Sequence, residues 1–177
     1  MIRTSTYKPG GHLGVRRHRI KRKEARRIAA IASERWPELA DFISSARDSE
    51  FELAHAEEAQ VLLVDRTPVL LLAGGEPIPA ITGLEKFSID LPKVTVDVGA
   101  VPYIAKGAHV MVPGIVSLSR DFKEGAGVAV AEEKLGSIIA VGIALMSSDE
   151  IKLSSKGRAI KNIHHVGDKL WKLYSKL

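Results

Sequence analysis

The 177 residues include no cysteine. That absence excludes disulfides, thiolate metal sites and thiol nucleophiles together. Aromatic side chains make up only 5% of the chain, which argues against recognition by a broad stacking platform. No apolar run approaches the ~18 residues needed to cross a bilayer; the longest, Ile138 to Met146, is strand-sized. The N-terminus has no apolar signal core and is basic instead, which argues against secretion. No membrane partner is expected, and a cytoplasmic protein fits. With 45% hydrophobic residues and a mean hydropathy of +0.03, the chain reads as a globular protein of one or two domains.

The formal charge is +5, and it is unevenly spread. Up to Arg27, ten cations face one acid, a balance of +9. From Ile28 to Pro92, four cations face twelve acids, giving −8. The remainder carries twelve against eight, or +4. Concentrated positive charge at one end points to a polyanion such as RNA, or to an acidic protein.

Met1 to Val15, with Pro9 and three glycines, reads as a loosely packed arm. Its Gly10-Gly11-His12-Leu13-Gly14 run lacks the Gly-Lys-Ser/Thr ending of a phosphate loop. Arg16 to Arg35 is helix-forming, with Ile20, Ala25, Ile28, Ala29, Ile31 and Ala32 as an apolar stripe. Beside that stripe lie Arg16, Arg17, Arg19, Lys21, Arg22, Lys23, Arg26 and Arg27, the candidates for phosphate contact. Trp36-Pro37 interrupts the helix, and Glu38 to Ser45 supplies another. Phe51 to Ala56, Gln60 to Asp65 and Val69 to Ala73 read as strands, the last two joined at Arg66-Thr67-Pro68. Gly74 to Pro77 reads as a loop and Ile78 to Phe87 as a short helix. The first unit, residues 1–92, is therefore an α+β domain with a basic arm and helix.

Leu91-Pro92 marks a boundary, and residues 93–177 read as mostly strand. Val94, Val96 and Val98 alternate with Thr95 and Asp97. Ala100 to Lys106 is a single short helix that tolerates Pro102 in its first turn, and it ends at Gly107. Val110-Met111-Val112 runs to Pro113-Gly114. Ser117 to Gly127 reads as a loop, and Val128 to Ala131 as a strand. In Ser137 to Met146 large residues on one face oppose Ala140, Gly142 and Ala144 on the other, as a tight barrel requires. Ser147 to Glu150 fits a capping box. Arg158 to His165 is the last strand, with its alternation slipping near Asn162 as at a bulge.

Little here points to catalysis. His164 and His165 face opposite sides of a strand and have no third ligand at useful spacing, so neither metal nor cofactor is expected. Asp97 suits capping of the Gly99-Ala100 turn. Glu132-Glu133 and Asp149-Glu150 are not arranged for acid–base work, and the serine pairs lack a neighbouring base. The better candidate for ligand contact is the exit of the short helix, Lys106 to His109, with Met111, Pro113 and Gly114.

Leu91-Pro92, Asp97, Gly99-Ala100, Gly107-Ala108, Met111, Pro113-Gly114, Val141-Gly142, Met146-Ser147, Lys156-Gly157, Asn162-Ile163-His164 and Leu170-Trp171 together resemble the PUA domain, an RNA-binding module. More narrowly, the chain resembles the malignant T-cell-amplified sequence family and the matching part of ligatin-type initiation factor 2D. The resemblance implies a PUA-type pseudo-barrel of about five to six strands with short helices in residues 93–177. It implies a non-enzymatic RNA-binding protein of the translation machinery, meeting a tRNA acceptor end or small-subunit rRNA. Carried over, the contacts are Lys106, Gly107, Ala108, His109, Met111, Pro113 and Gly114, with Asn162 and His164 from the last strand. Lys161 and Lys169 add phosphate contacts. Position 112 is Val, where relatives can be polar or basic. The family also implies the small ribosomal subunit and a protein of the density-regulated type as partners. Two other readings are an RNA-targeting subunit of a modification or ribosome-assembly enzyme, and a basic protein-interaction module.

Overall fold

A computed structural model describes residues 15–56 and 59–177, so the arm up to residue 14, with its glycine run, lies outside the described residues. The first of two sheets is antiparallel throughout, in the order β1 (Arg16–Arg19), β2 (Phe51–His55), β3 (Ala59–Val64), β4 (Thr67–Ala73), β5 (Glu76–Pro79). Helices α1 (Arg22–Ala32) and α2 (Pro37–Ser45) lay Ala25, Ala29, Leu39 and Ile43 against Phe51, Leu62 and Leu70. Helix α3 (Ile81–Lys86) then leads to the second sheet.

The first expectation to fail is the helix over Arg16 to Arg35. Arg16–Arg19 is a strand, and Ile20 extends its pairing by donating to the Phe51 carbonyl at 2.9 Å. Extending α1 backward over these residues would add only weak propagation bonds, whereas pairing with β2 satisfies the backbone and sets Arg17 against Glu52. Two tight turns also differ from expectation. The β3–β4 turn is Asp65-Arg66, both with positive φ (47° and 65°), one residue before the expected position. Gly74-Gly75, at 58° and 84°, is likewise a two-residue hairpin turn, so Glu76 and Pro77 begin a strand.

The second sheet runs β7 (Val110–Met111), β11 (Arg158–His165), β10 (Ile138–Ala144), β9 (Gly127–Glu132), β6 (Lys93–Val96), β8 (Ile115–Leu118). Only β6 and β9 pair in parallel. These six strands curl into a barrel around Val94, Val96, Ile104, Val110, Val130, Ala140 and Ile160. β8 occupies the start of the expected loop. Gly142 is required by close approach: a Cβ there would lie 2.5 Å from Ile160 Cγ2 and 2.6 Å from the Lys161 carbonyl. At the same level Val141 pairs with His164 and Gly142 with Asn162, which leaves Ile163 as the extra residue of the bulge expected near Asn162. Ser147 caps α5 (Ser148–Leu153) in a full capping box with Glu150.

The two sheets share a core. Ala129, Ile138 and Val141 of the barrel pack with the α1–α2 layer. Gly127 lies so close to Trp36 that a Cβ would overlap the indole ring, and its N–H donates to the Arg35 carbonyl at 3.2 Å. Arg120 reaches across to Glu38 at 2.6 Å and Asp90 at 2.8 Å. The chain end, expected with the barrel, folds instead onto the first sheet. Helix α6 (Lys169–Tyr174) buries Tyr174 against Ala54, Val61, Leu63 and Leu71. No helix among the described residues is long and apolar enough to cross a membrane.

Candidate nucleic-acid interface

The turn after β6 forms one wall of a cleft at the end of the barrel. Val94 and Val96 point inward, so the strand delivers Asp97 to the rim. The Asp97 N–H donates to the Gly114 carbonyl at 2.9 Å, and its Oδ1 accepts the Ala100 N–H at 2.8 Å. That is the capping role expected of it. Helix α4 (Val101–Ile104) is a single turn anchored by the buried Ile104. Gly107, at φ 91°, ends the segment as a left-handed residue.

Asn162 fixes the exit of this helix. Its Nδ2 donates to the carbonyls of Ile104 at 3.0 Å and Ala108 at 3.1 Å, and its N–H donates to His109 Nδ1 at 3.2 Å. The β11 bulge thus holds the short helix in place, and the Asn162 amide nitrogen is occupied within the protein, while its buried Oδ1 has no partner among the described residues. The resulting cleft has a volume of about 640 Å³, within the ~300–1,000 Å³ range of small-ligand sites. Tyr103, Ile104, Val110, Met111 and Pro113 form its apolar walls, while Asp97 and Arg158 supply its charges. Tyr103 is 69% and Met111 46% exposed. Arg158 sits opposite Met111 in the β11–β7 register and has no ion pair among the described residues.

Of the residues expected at this surface, Ala108, His109, Met111, Pro113 and Gly114 line the cleft. Lys106 and Gly107 are exposed beside it in sequence but do not line it, and Lys161 is exposed on β11. Lys169 lies on α6, the helix docked to the first sheet. His164 is corrected outright. Its ring is 0% exposed, between Asp168 Oδ2 at 2.8 Å from Nδ1 and the Tyr174 hydroxyl at 2.9 Å from Nε2. A carboxylate only accepts, so Nδ1 carries a proton and donates to Asp168, while Nε2 shares a hydrogen bond with the tyrosine hydroxyl. Burial raises the Asp168 pKa, but bonds from His164 and from the Trp171 and His165 N–H groups outweigh it and hold the carboxyl below its ordinary value. Burial holds the Tyr174 hydroxyl well above its ordinary value, so it stays protonated. His164 fastens α6; it does not face a ligand.

Asp97 and Arg158 were missed as members of this site. Arg158 follows a glycine at the start of a strand, and only the β7–β11 register reveals which residues it faces.

A second candidate surface lies on α1. Arg22, Lys23, Arg26 and Arg27, with Ala30, line a shallow groove with no acid among its described lining residues. Arg22 also donates to the Ser44 carbonyl at 2.9 Å, which ties α1 to α2. The remaining cations of the expected basic helix differ in kind. Arg16, Arg17 and Arg19 are on β1, and Lys21 precedes the helix as its N-cap residue. Arg17 bonds Glu52 at 2.5 and 3.0 Å and the Leu177 carbonyl at 2.7 Å, so its guanidinium is engaged within the protein. Arg19 pairs with Glu50 at 3.0 Å on an exposed edge.

Comparison with known proteins yields consistent matches. The PUA domain family profile matches residues 92–166. Translation machinery-associated protein 20 of Saccharomyces cerevisiae is 31% identical, over 88% of this chain and 91% of its own length. An uncharacterised protein of Methanocaldococcus jannaschii is 42% identical over 68% of this chain and 74% of its own. Malignant T-cell-amplified sequence 1-B of Xenopus laevis is 35% identical over 55% of each chain. Among solved structures, a PUA domain protein of Aeropyrum pernix superposes with a TM-score of 0.78 at 26% identity, covering 92% of both chains. A hypothetical protein of Pyrococcus horikoshii superposes at 0.71 with 33% identity, covering 89% of this chain and 99% of that one.

Proposed function

We propose that this chain, which belongs to the family of PUA-domain proteins that includes translation machinery-associated protein 20 and the malignant T-cell-amplified sequence proteins, is a non-enzymatic RNA-binding protein of the translation machinery. The observation that carries this reading is the cleft at the barrel end, with apolar walls and a guanidinium at Arg158 that has no ion pair among the described residues. An unpaired nucleotide brings a flat apolar face for Tyr103, Met111 and Pro113 and a phosphate for Arg158, which is how single-stranded RNA ends and loops are read.

In this reading the protein works as two units, one within residues 1–92 on which α6 docks and the barrel that begins at residue 93. The cleft takes the free end of a structured RNA, with the tRNA acceptor end the foremost candidate, and Lys106 to His109 sit beside it. The α1 groove adds sequence-independent phosphate contacts through Lys23, Arg26 and Arg27. Translation supplies the setting, with the small ribosomal subunit as the assembly on which such a protein acts, in the cytoplasm. Arg17 and His164 support the fold rather than the RNA, because both are satisfied internally.

The test is binding of the full chain to tRNA with an intact 3′ CCA end and with that end trimmed, at two salt concentrations. Weakening on trimming that persists at both salts supports the cleft as reader of the end. Equal binding that falls steeply with salt assigns the affinity to α1 alone and removes the acceptor-end role. No binding to either RNA overturns the reading.

A further inference from the structure

A carboxylate in an RNA-binding cleft requires an account, because it repels phosphate. Asp97 is such a group. It lines the cleft, and it forms no ion pair with any cation among the described residues. Its backbone N–H and its Oδ1 are both committed, to Gly114 and Ala100, so the carboxylate is held in one orientation. The neighbouring Gly99 leaves little room, since a Cβ there would lie 3.2 Å from Oδ1. Capping uses one oxygen. Oδ2 accepts no hydrogen bond among the described residues and is not a buried atom.

We propose that Asp97 is a specificity-determining residue that makes the cleft prefer an unpaired base bearing an exocyclic amine, cytosine over uracil. This rests on the reading of the cleft as an RNA site and deepens it. An ionised carboxylate only accepts, so the ligand atom that meets Oδ2 is an N–H or O–H donor. Arg158 draws the phosphate, and the apolar wall of Tyr103, Met111 and Pro113 takes the base face, which leaves the base edge for Asp97. Cytosine presents its N4 amine there, the donor that Asp and Glu side chains recognise. Uracil presents O4 at the same position, and its one ring N–H is flanked on both sides by carbonyl oxygens. Acceptor then faces acceptor.

The experiment uses the full chain and two RNA hairpins with the same stem, one with a four-nucleotide 3′ overhang of cytidines and the other of uridines. Asp97→Asn is the informative variant, because its Oδ1 still accepts the Ala100 N–H and preserves the cap, while its amide offers a donor where Oδ2 was. The expected result is roughly tenfold tighter binding of the cytidine overhang by the natural protein, about the value of one well-placed base contact. In Asp97→Asn that preference shrinks to none or reverses toward uridine. An overhang of deoxycytidine should keep the advantage over deoxyuridine. A preference for ribose over deoxyribose with no difference between bases would mean that Asp97 meets a 2′-hydroxyl, and would overturn the base assignment. Equal binding of both overhangs, or an unchanged ratio in the variant, overturns it as well while leaving the RNA reading intact. Failure of both hairpins to bind removes the RNA reading and this inference with it.

Discussion

The cleft and the α1 groove are both candidate RNA surfaces, and they are built on opposite principles. The groove gathers four cations, with no acid among its described lining residues. The cleft sets Arg158 and Asp97 among mostly apolar side chains around a volume of about 640 Å³. Charge without shape gives affinity that depends on counterion release and is blind to sequence. An apolar cleft with one charge of each sign gives little long-range attraction but restricts what fits. The combination suits a protein that is held on RNA by one surface and inspects a particular end with the other.

The largest expected effect comes from removing the groove. Replacing Lys23, Arg26 and Arg27 by glutamate should weaken RNA binding by roughly a hundredfold at low salt and flatten the logarithmic salt slope by about 0.7 to 0.9 per lost contact. Fluorescence titrations at several salt concentrations would measure both. Discrimination between intact and trimmed 3′ ends should survive in this variant. If the slope does not change, α1 does not touch phosphate, and the acidic-protein reading of the basic helix gains ground.

Arg158→Ala is the counterpart and should act oppositely. Losing one hydrogen bond to a charged partner costs about 1.5–3 kcal/mol, or roughly ten- to a hundredfold in affinity. The salt slope should change by no more than about one, while the difference between intact and trimmed ends disappears. The same titrations on both RNAs decide it. A variant that loses affinity for both ends equally would show that Arg158 is one more phosphate contact and that the two surfaces do not differ in kind.

These surfaces were unequally legible in the sequence. The groove was visible as a run of cations, since a helix needs only local spacing to bring Arg22 and Arg26, or Lys23 and Arg27, onto one side. Yet the same run hid a strand, because nothing local distinguishes Arg17, which lies against Glu52 and the chain end, from Arg26, which does not. Half of the cleft was visible too. Glycines and a short apolar segment mark the α4 exit, and the slipped alternation marks the Asn162 bulge. Arg158 was not visible, because the register that sets it opposite Met111 joins strands 47 positions apart. His164 misled for a related reason. Matching a family pattern shows that a residue matters, but not whether it faces RNA or Tyr174.

His164→Gln sharpens the distinction between surface and support. It removes the Nδ1–H that donates to the Asp168 carboxylate, because a glutamine amide reaches the position of Nε2 and not that of Nδ1, and losing a hydrogen bond to a charged group should cost about 1.5–3 kcal/mol of stability. Urea denaturation would measure that loss. Affinity for tRNA at temperatures where the variant is fully folded should stay within about twofold, since no atom of His164 reaches solvent. A larger loss would mean that the α6 fastening sets the shape of the cleft through β11, so that surface and support are one mechanical unit.

The smallest effect is confined to acid. The Asp168 carboxyl is held below its ordinary value of 3.8 by the groups that donate to it, against the opposing influence of burial. A depressed carboxyl adds stability that is fully present above the unfolded value and is lost as pH falls through the folded one. Docking of α6 should therefore hold at pH 5 to 7 and loosen only below about pH 4. Hydrogen exchange at the Trp171 and Ser175 amides, compared with barrel amides such as Val130, would follow it. Asp168→Asn keeps an acceptor for the Trp171 N–H but loses the charge that responds to acid, so its exchange should be nearly flat over the same range. If the barrel amides open together with α6, the shared core couples the two units too tightly for the chain end to release alone, and the cleft cannot be studied apart from the sheet that supports it.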